Sequence, residues 1–409
     1  MAQVRATILQ IIPELDTGGA ERTTIEIADA IVRAGGRALV LSEGGRLAAE
    51  VSAAGGEFIP FRAASKNPLQ LALNARAIAA MVRREGVDLI HARSRAPAWS
   101  ALSAARRAGV AFVTTYHGAY NEKGPAKRLY NSVMARGDLV IANSNYTRRL
   151  VQQRYGTPDA RLRVVHRGVD GQAFDPRSIA PERVAALRKA WGIEDGRKII
   201  LNAARLTAWK GQRVAIEAMA RLAAEAPDVA AEAVLVLAGD AQGRTQYQNE
   251  LADAIRASGL EQQVRMVGHV TDVPAAFAGA WIGLVASIEP EAFGRAATES
   301  QVAGCPVIAT GIGAPPETVL TAENAGQDAM TGWLVPAGDP RALATAFHTG
   351  LSLTDAKRAE IGGRARRHVL DRFSLAEMRE KTLAVYDELL GTDLAARFRD
   401  GAASALQRS

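Results

Sequence analysis

The chain of 409 residues lacks several features that mark other classes of protein. It contains one cysteine, Cys305, which excludes an internal disulfide and is typical of a reducing compartment such as the cytoplasm. No apolar run reaches the roughly 18 residues that a membrane-spanning helix needs. The sequence also lacks zinc-spaced Cys/His clusters, a D-x-D metal clamp, a Walker A loop, kinase motifs and a G-x-S-x-G nucleophile elbow. These absences exclude a disulfide-stabilised fold, a membrane-spanning helix and the common zinc, metal–diphosphate, kinase and hydrolase motifs.

Basic residues are concentrated in the first half of the chain. Residues 1–180 hold 25 Lys and Arg against 15 Asp and Glu, whereas the remaining residues hold 25 against 28. Residues 93–167 alone hold 14 basic and 3 acidic residues. Such a surface suits an anionic lipid, a phosphorylated glycan or a nucleic acid, or it is a solvated arginine-rich surface. We expect no nucleic acid to bind, because no basic motif is interleaved with aromatic residues.

Apolar, β-branched runs alternate with helical patterns along the chain. The predicted strands lie at residues 4–12, 37–41, 87–91, 110–116, 138–142 and 162–165, and then at 198–203, 234–238, 264–267, 281–286 and 306–310. This alternation predicts parallel sheets that are covered on both faces. The predicted fold class is α/β, with two Rossmann-like, doubly wound domains, residues 1–178 and 179–374, facing a cleft. Residues 396–409 are expected to be a frayed tail.

Two candidate anion sites follow predicted strands, at the edge where open parallel sheets bind ligands. Gly18 and Gly19 lie between the first strand and a helix, where backbone N–H groups are able to approach an anion. A tight turn capped by Thr17 is the alternative. Arg205 and Lys210 flank the loop after the first strand of the second domain, and their guanidinium and ammonium groups suit a diphosphate. Two solvated cations are the alternative there.

Two carboxylates and a histidine occupy two further strand ends. Glu291 and Glu299 are separated by seven residues, and Gly294 is expected to begin the helix that carries Glu299. Carboxylates accept hydrogen bonds from sugar and ribose hydroxyls, although one capping and one surface carboxylate would give the same pattern. His117 follows the strand at 110–116, where it either points into the predicted cleft or makes a structural hydrogen bond.

Several segments, taken in order, resemble the retaining GT-B glycosyltransferases of family four. Residues 287–307 (S-I-E-P-E-A-F-G-R-A-A-T-E-S-Q-V-A-G-C-P-V) resemble the family's E-x7-E segment, and residues 205–211 (R-L-T-A-W-K-G) resemble its diphosphate-binding loop. Residues 18–21 (G-G-A-E) match its N-terminal Gly-Gly loop. Further fits are S-N-Y-T at 144–147, V-H-R-G-V-D at 165–170, V-L-A-G-D at 236–240 and T-G-W-L-V-P at 331–336. The match extends from about residue 4 to about residue 390.

The resemblance implies a metal-independent transfer of sugar from a nucleotide-sugar donor, which is a substrate and not a cofactor. The catalytic residues would be Arg205 and Lys210 on the donor diphosphate, Glu291 on the donor sugar and His117 near the transferred sugar. The other donor-binding residues would be Gly18, Gly19, Phe293, Gly294, Arg295 and Glu299, with Glu299 on the ribose hydroxyls. The last helix, about residues 375–395, would cross back onto the first domain.

One residue of this segment departs from the family. Many members have a bulky aliphatic residue where this chain has Arg295. A cation there favours a donor sugar that carries a carboxylate, or it stacks on the base.

The acceptor would be recognised by the first domain. The predicted acceptor-side basic patch consists of Arg93, Arg95, Lys123, Lys127 and Arg128. Such a patch suits a glycan or lipid-linked acceptor in bacterial lipopolysaccharide or exopolysaccharide synthesis, with peripheral contact to anionic lipid at the inner face of the cytoplasmic membrane. A core-packing helix with a basic outer face is the alternative. The competing functions are transfer to a small soluble cytosolic acceptor, nucleotide-sugar epimerisation and binding without catalysis.

Overall fold

The chain folds into two compact units, each built on a parallel sheet. The computed structural model describes residues 5–16, 18–118, 120, 122 and 124–406. The first unit holds the described residues up to His166 together with those from Ala376 onward, and the second holds Arg167–Leu375. Two parallel sheets covered by helices confirm the predicted α/β class with two Rossmann-like domains.

The first unit is built on strands whose residues are mostly buried. Its strands are β1 (Thr7–Ile11), β2 (Arg37–Ser42), β3 (Glu57–Pro60), β4 (Leu89–Ala92), β5 (Ala111–Tyr116), β6 (Leu139–Ala142) and β7 (Leu162–Val164). Its helices up to residue 166 are α1 (Gly19–Arg33), α2 (Ala48–Ala53), α3 (Pro68–Glu85), α4 (Arg95–Ala108), α5 (Pro125–Ser132) and α6 (Asn145–Tyr155). Across the described residues the seven strands are parallel and ordered β3-β2-β1-β4-β5-β6-β7. Every residue of β1, β4 and β6 is buried, because helices cover both faces of the sheet.

Local signals in the sequence fix where these helices begin and end. Asn67 caps α3 by accepting a hydrogen bond from the Leu69 amide at 2.9 Å. Ser144 caps α6 in the same way, by accepting from the Thr147 amide at 3.0 Å. Gly86 ends α3 with a φ of +62°, which glycine adopts without a steric penalty.

The second unit repeats this plan. Its strands are β8 (Lys198–Ala203), β9 (Ala233–Ala238), β10 (Val264–Gly268), β11 (Ile282–Val285), β12 (Val307–Thr310) and β13 (Gly332–Val335). Its helices are α7 (Pro181–Ala190), α8 (Gln212–Glu225), α9 (Pro227–Ala231), α10 (Thr245–Ala257), α11 (Val273–Ala278), α12 (Arg295–Val302), α13 (Pro315–Thr318), α14 (Ala322–Ala325), α15 (Pro340–Leu351) and α16 (Asp355–Arg372). Among the described residues the six strands are parallel and ordered β10-β9-β8-β11-β12-β13.

The last two helices are α17 (Leu375–Leu390) and α18 (Leu394–Leu406), which from Ala376 onward fold with the first unit. Tyr386 of α17 is buried, and its hydroxyl lies 2.6 Å from Nδ1 of His91. The tail predicted to be frayed at 396–409 is helical up to Leu406, because α18 buries Leu394 and Phe398. Residues 407–409 lie outside the described residues.

The first unit ends at His166, before the predicted boundary at 178. The next residues join the second unit because Val169 pairs with Ser374. Arg366 of α16 also donates hydrogen bonds to the carbonyl oxygens of Gly171 at 3.1 Å and Phe174 at 3.3 Å. Hydrogen bonds from a side chain to the backbone cannot be predicted from hydrophobic periodicity, so the sequence did not indicate this boundary.

Of the helices in the described residues, none is long and apolar enough to cross a membrane.

Candidate active site

The loop between β8 and α8 carries Arg205 and Lys210. It passes so close to the end of β11 that a Cβ on Gly211 would lie 1.9 Å from the carbonyl oxygen of Ala286. Gly211 also has a φ of +70°, so glycine is required there on two grounds. The amide of Ile288 donates to the carbonyl oxygen of Trp209 at 2.8 Å and ties the loop to the segment after β11.

Lys210 and Glu291 form an ion pair in which both side chains are largely removed from solvent. The Nζ of Lys210 contacts Oε1 of Glu291, and the two side chains are 18% and 9% exposed. The hydroxyl of Ser287 donates to the same oxygen at 2.6 Å. Because β8 and β11 are neighbours in the parallel sheet, the two loops that follow them meet at its carboxyl edge.

The backbone of Glu291 is fixed by the loop after β12. Glu291 forms a bridge with Gly313, and its carbonyl oxygen accepts from the Ala314 amide at 2.9 Å. Gly313 has a φ of +78°, and a Cβ there would lie 2.3 Å from the Glu291 carbonyl oxygen. The side chain of Glu291 does not cap α12, whose N-cap is Gly294. The alternative in which one of the two carboxylates caps this helix is therefore wrong.

Helix α12 begins at Arg295, so the predicted helix start at Gly294 is confirmed. The Nε and Nη2 atoms of Arg295 each lie 3.1 Å from Oε1 of Glu299, one turn further on. The side chain of Glu299 is 15% exposed and that of Arg295 is 32% exposed. Phe293 is buried, with its ring 5.9 Å from that of Phe373, so its side chain serves the core. Its predicted role through the backbone N–H stays a prediction.

Arg205 is exposed and lies in the same loop as Lys210. Its Nη1 donates to Oε1 of Gln242 at 3.4 Å, which is a long contact to a neutral amide. The second unit thus brings Lys210 against Glu291 and Arg295 against Glu299, and it leaves the charge of Arg205 facing solvent.

The predicted residues of the first unit also lie at the carboxyl ends of its strands. Gly18 is the N-cap of α1 and Gly19 its first residue. A Cβ on Gly18 would lie 2.1 Å from Oε2 of Glu21, so this carboxylate folds back toward the start of the helix. His117 follows β5 and is half-buried, and its carbonyl oxygen accepts from Nδ2 of Asn143 at 3.4 Å. Thr17, the alternative cap, lies outside the described residues.

The predicted basic patch is only partly a surface feature. Arg93 is 2% exposed, and its Nε and Nη2 donate to Oε1 of Gln10 at 2.9 and 2.6 Å. Burial lowers the pKa of Arg93, and the prediction that it belongs to a surface patch is wrong. The reason is that Arg93 directly follows β4, beside β1, and turns inward to Gln10.

The other cations of the patch differ in their surroundings. The guanidinium of Arg95 lies 4.1 Å from the ring centroid of Tyr120, and its Nη1 donates to Oδ1 of Asn131 at 2.8 Å. Lys127 and Arg128 are exposed on α5. Lys123 lies outside the described residues.

Two residues near these sites received no role from the sequence. His91 of β4 is fully buried, and its Nε2 lies 2.7 Å from Oγ1 of Thr115. Burial holds the pKa of His91 well below 6.5, with the nearby charge of Arg93 acting in the same direction. Ser287 lies in the quoted E-x7-E segment. Its hydrogen bond to Glu291 could have been suggested by its position at a strand end, four residues before that carboxylate.

In the part of the chain that the structure describes, no group of three or more His, Cys, Asp and Glu side chains is placed to hold a metal ion. The expectation of metal-independent chemistry stays a prediction.

Each of the two units matches a model of a known protein family. The family model described as Glycosyltransferase Family 4 matches residues 17–172, and that described as Glycosyl transferases group 1 matches residues 184–368. A D-inositol 3-phosphate glycosyltransferase of Kineococcus radiotolerans is 34% identical over 268 residues, which are 64% of this chain and 60% of that protein. The aligned part therefore spans less than two thirds of that relative.

Solved structures match over nearly the whole chain. A glycosyltransferase of Rickettsia africae is 33% identical with a TM-score of 0.84, over 95% of this chain and 100% of the other. Anabaena HepE, solved in complex with UDP-glucose, is 25% identical with a TM-score of 0.78, over 94% of this chain and 100% of the other. These matches in both units show that the chain belongs to the family-four glycosyltransferases with the GT-B fold.

Proposed function

We propose that this chain is a retaining glycosyltransferase that moves a sugar from a nucleotide-sugar donor to a glycan or lipid-linked acceptor, without a metal ion. The proposed setting is bacterial lipopolysaccharide or exopolysaccharide synthesis in the cytoplasm. The observation that carries this proposal is the contact between Lys210 and Glu291. A cation suits a diphosphate, and a carboxylate suits sugar hydroxyls, so the pair combines the two groups that a nucleotide sugar joins by one bond.

Electrostatic stabilisation of the leaving diphosphate is the proposed source of the rate. Negative charge grows on the diphosphate as the sugar–phosphate bond breaks, and Lys210, Arg205 and the N-terminus of α12 oppose that charge. Removal of one such donor typically costs about 2.7–4 kcal/mol of activation free energy. Charge-assisted contacts of this kind supply catalysis without a protein nucleophile.

The proposed reaction is a single displacement that retains the configuration of the anomeric carbon. The acceptor hydroxyl oxygen bonds to the anomeric carbon on the face from which the diphosphate leaves. The bond between that carbon and the phosphate oxygen breaks, and the leaving phosphate takes the hydroxyl proton. The products are the glycosylated acceptor and a nucleoside diphosphate.

The exposed side chains of the first unit support an acceptor that carries a phosphate next to an apolar group. Lys127 and Arg128 are exposed on α5, beside Leu129, which is 58% exposed. On α3, Leu69 and Leu73 are 77% and 55% exposed. The exposed cations of α5, next to the exposed Leu129, suit contact with anionic lipid.

A small soluble acceptor is the second candidate. The Kineococcus relative is named for an inositol phosphate, a small phosphorylated polyol. The cations of α5 suit the phosphate of either acceptor, so the apolar side chains distinguish the two. A lipid-linked acceptor in vesicles would contact these apolar side chains, whereas a soluble inositol phosphate would not.

The first experiment compares Lys210→Ala and Glu291→Gln with wild type. Binding of UDP, GDP, ADP and dTDP is measured by calorimetry, and transfer is measured with the matching nucleotide glucose, beginning with UDP because HepE was solved with UDP-glucose. We expect a loss of about 10²–10³ in transfer for Lys210→Ala. The matched control is Lys357→Ala, because Lys357 of α16 also pairs with a carboxylate, Glu360, at 2.9 Å, but the two side chains are 38% and 48% exposed. This control should keep wild-type activity.

Four results would each contradict part of the proposal. Wild-type turnover in Lys210→Ala or Glu291→Gln, or no binding of any nucleotide, excludes the donor site. A product with inverted anomeric configuration, read from its proton NMR coupling, excludes retention. Loss of activity in EDTA that added Mg²⁺ or Mn²⁺ restores excludes metal independence.

A further inference from the structure

We propose that Arg295 selects ribonucleotide donors by holding Glu299 in the position from which that carboxylate accepts the ribose hydroxyls. Arg295 is thus a positioning residue that acts through Glu299. The inference rests on the proposed function, because it adds a specificity-determining residue to the same donor site.

The geometry directs the guanidinium toward the carboxylate. Arg295 and Glu299 are four residues apart on α12 and therefore lie on one face of the helix. Nε and Nη2 both lie 3.1 Å from the same oxygen, Oε1. Among the hydrogen bonds of the described residues, the other oxygen, Oε2, has none, so one oxygen is anchored and the second is available to a ligand.

The low solvent exposure of both side chains strengthens the effect of the contact between Arg295 and Glu299. The side chain of Glu299 is only 15% exposed, and that of Arg295 is 32% exposed. A partly buried carboxylate without a cation is disfavoured by desolvation. Arg295 offsets this cost, whereas an aliphatic side chain at this position does not. The guanidinium also restricts the rotamers of Glu299, which lowers the entropy that is lost when the ribose binds.

This assignment differs from both roles that the sequence left open for Arg295. A guanidinium that binds a sugar carboxylate or stacks on the base acts on the ligand directly. In the structure, two of its nitrogen atoms are engaged by Glu299 instead. The effect of Arg295 on donor binding should therefore vanish when Glu299 or the ribose hydroxyls are removed.

The test is a double-mutant cycle with a modified ligand. The variants are Arg295→Leu, Glu299→Gln and the double variant, and the ligands are the nucleoside diphosphate that wild type binds most tightly and its 2′,3′-dideoxy analogue. We expect Arg295→Leu to weaken binding of the ribonucleotide about tenfold, the size of a lost hydrogen bond to a charged group. It should leave binding of the dideoxy analogue unchanged. The double variant should bind no more weakly than Glu299→Gln.

Two further variants complete the design. Arg213→Leu is the matched control, because Arg213 and Glu217 form a pair with the same spacing on α8 at 3.2 Å, but with side chains 67% and 48% exposed. It should leave binding unchanged. Arg295→Lys should restore part of the lost affinity, because an ammonium still neutralises Glu299 but makes fewer bonds. If Arg295→Leu lowers the melting temperature, Arg295→Gln replaces it.

Several results would overturn the inference. Additive losses in the double variant, or equal losses with the dideoxy analogue, show that Arg295 contacts the diphosphate or the base. A change confined to the preference between nucleotide-linked glucuronic acid and glucose shows that it contacts the sugar. If wild type binds nucleotide and Glu299→Gln weakens binding but Arg295→Leu does not, this inference alone fails. If wild type binds no nucleotide, the proposed function fails with it.

Discussion

A methyl group added at Gly211 tests how the loop that carries Lys210 is built. In Gly211→Ala the new Cβ would lie 1.9 Å from the carbonyl oxygen of Ala286 and 2.8 Å from its carbonyl carbon. Both atoms belong to the backbone that follows β11, so rotation of a side chain relieves neither contact. Either the loop or the end of β11 must therefore move.

The expected cost has two parts. Alanine at a φ of +70° costs about 1–2 kcal/mol, and forced displacement of packed atoms costs about 1–3 kcal/mol more. We expect the free energy of unfolding of the second unit to fall by about 2–5 kcal/mol. Gly192→Ala is the matched control, because Gly192 has a φ of +62° but a Cβ there meets nothing within 4 Å. Its cost should be about 1–2 kcal/mol.

The assay is urea unfolding of both variants, followed by tryptophan fluorescence, together with calorimetry of nucleoside diphosphate binding. Gly211→Ala should be the less stable variant and should also lose affinity, because Lys210 is displaced from Glu291. Gly192→Ala should bind like wild type. Equal losses of stability in the two variants, with intact binding in Gly211→Ala, would refute the close approach of this loop to β11.

The remaining predictions concern Ser287 and His91. Ser287→Ala removes the hydroxyl that donates to Glu291 at 2.6 Å, and a hydrogen bond to a charged group is worth about 1.5–3 kcal/mol. We expect kcat to fall at least tenfold while the affinity for nucleoside diphosphate is kept, and equal losses in steady-state kinetics and calorimetry would contradict this. Because burial holds the pKa of His91 well below 6.5, the unfolded chain binds more protons than the native chain below about pH 6.5. Stability should therefore fall as the pH drops from 7 to 5, and His91→Gln should reduce that slope in melting temperature. The pKa of His368 is also lowered by burial, so His368 should still contribute to the pH dependence of stability in His91→Gln. An unchanged slope in His91→Gln would contradict the prediction.

Hydrophobic runs predicted the central strands and the edge strands β7 and β10, but they missed the edge strands β3 and β13. Lys198–Ala203 has the same bounds in the structure as in the sequence analysis, because β8 is apolar and lies inside the sheet. Strand β3 gives little signal because it is a short edge strand with exposed ends and only two consecutive apolar residues, Phe58 and Ile59, between them. The prediction of a frayed tail is wrong because α18 buries Leu394 and Phe398, and the position of a segment in the chain does not show such burial.

The types of residue at the candidate site were predictable, whereas their contacts were not. Lys210 and Glu291 lie 81 residues apart, and only the neighbouring positions of β8 and β11 bring their loops together. The patch prediction failed at Arg93 for a related reason. Composition counts charges in a segment, but it does not show which of them turn inward to a partner such as Gln10. Ser287 belongs to the E-x7-E segment, yet its hydrogen bond to Glu291 depends on the conformation of the loop after β11.

The charges of the second unit explain how a site with two carboxylates suits a dianionic diphosphate. Glu291 is paired with Lys210, Glu299 is paired with Arg295, and Arg205 contacts only a neutral amide in the described hydrogen bonds. Three cations thus face two carboxylates, and on the proposed function the remaining positive charge attracts the diphosphate. On the proposed function, a diphosphate that draws Lys210 away leaves Glu291 held by the hydroxyl of Ser287 and free to accept from a sugar. Diphosphate binding and exposure of the sugar-binding carboxylate would then be one event. A bare nucleoside diphosphate leaves that carboxylate without a cation or a sugar hydroxyl, so the complete donor should bind more tightly than the diphosphate in wild type. In Glu291→Gln that advantage should shrink, because an amide is a weaker hydrogen-bond acceptor than a carboxylate.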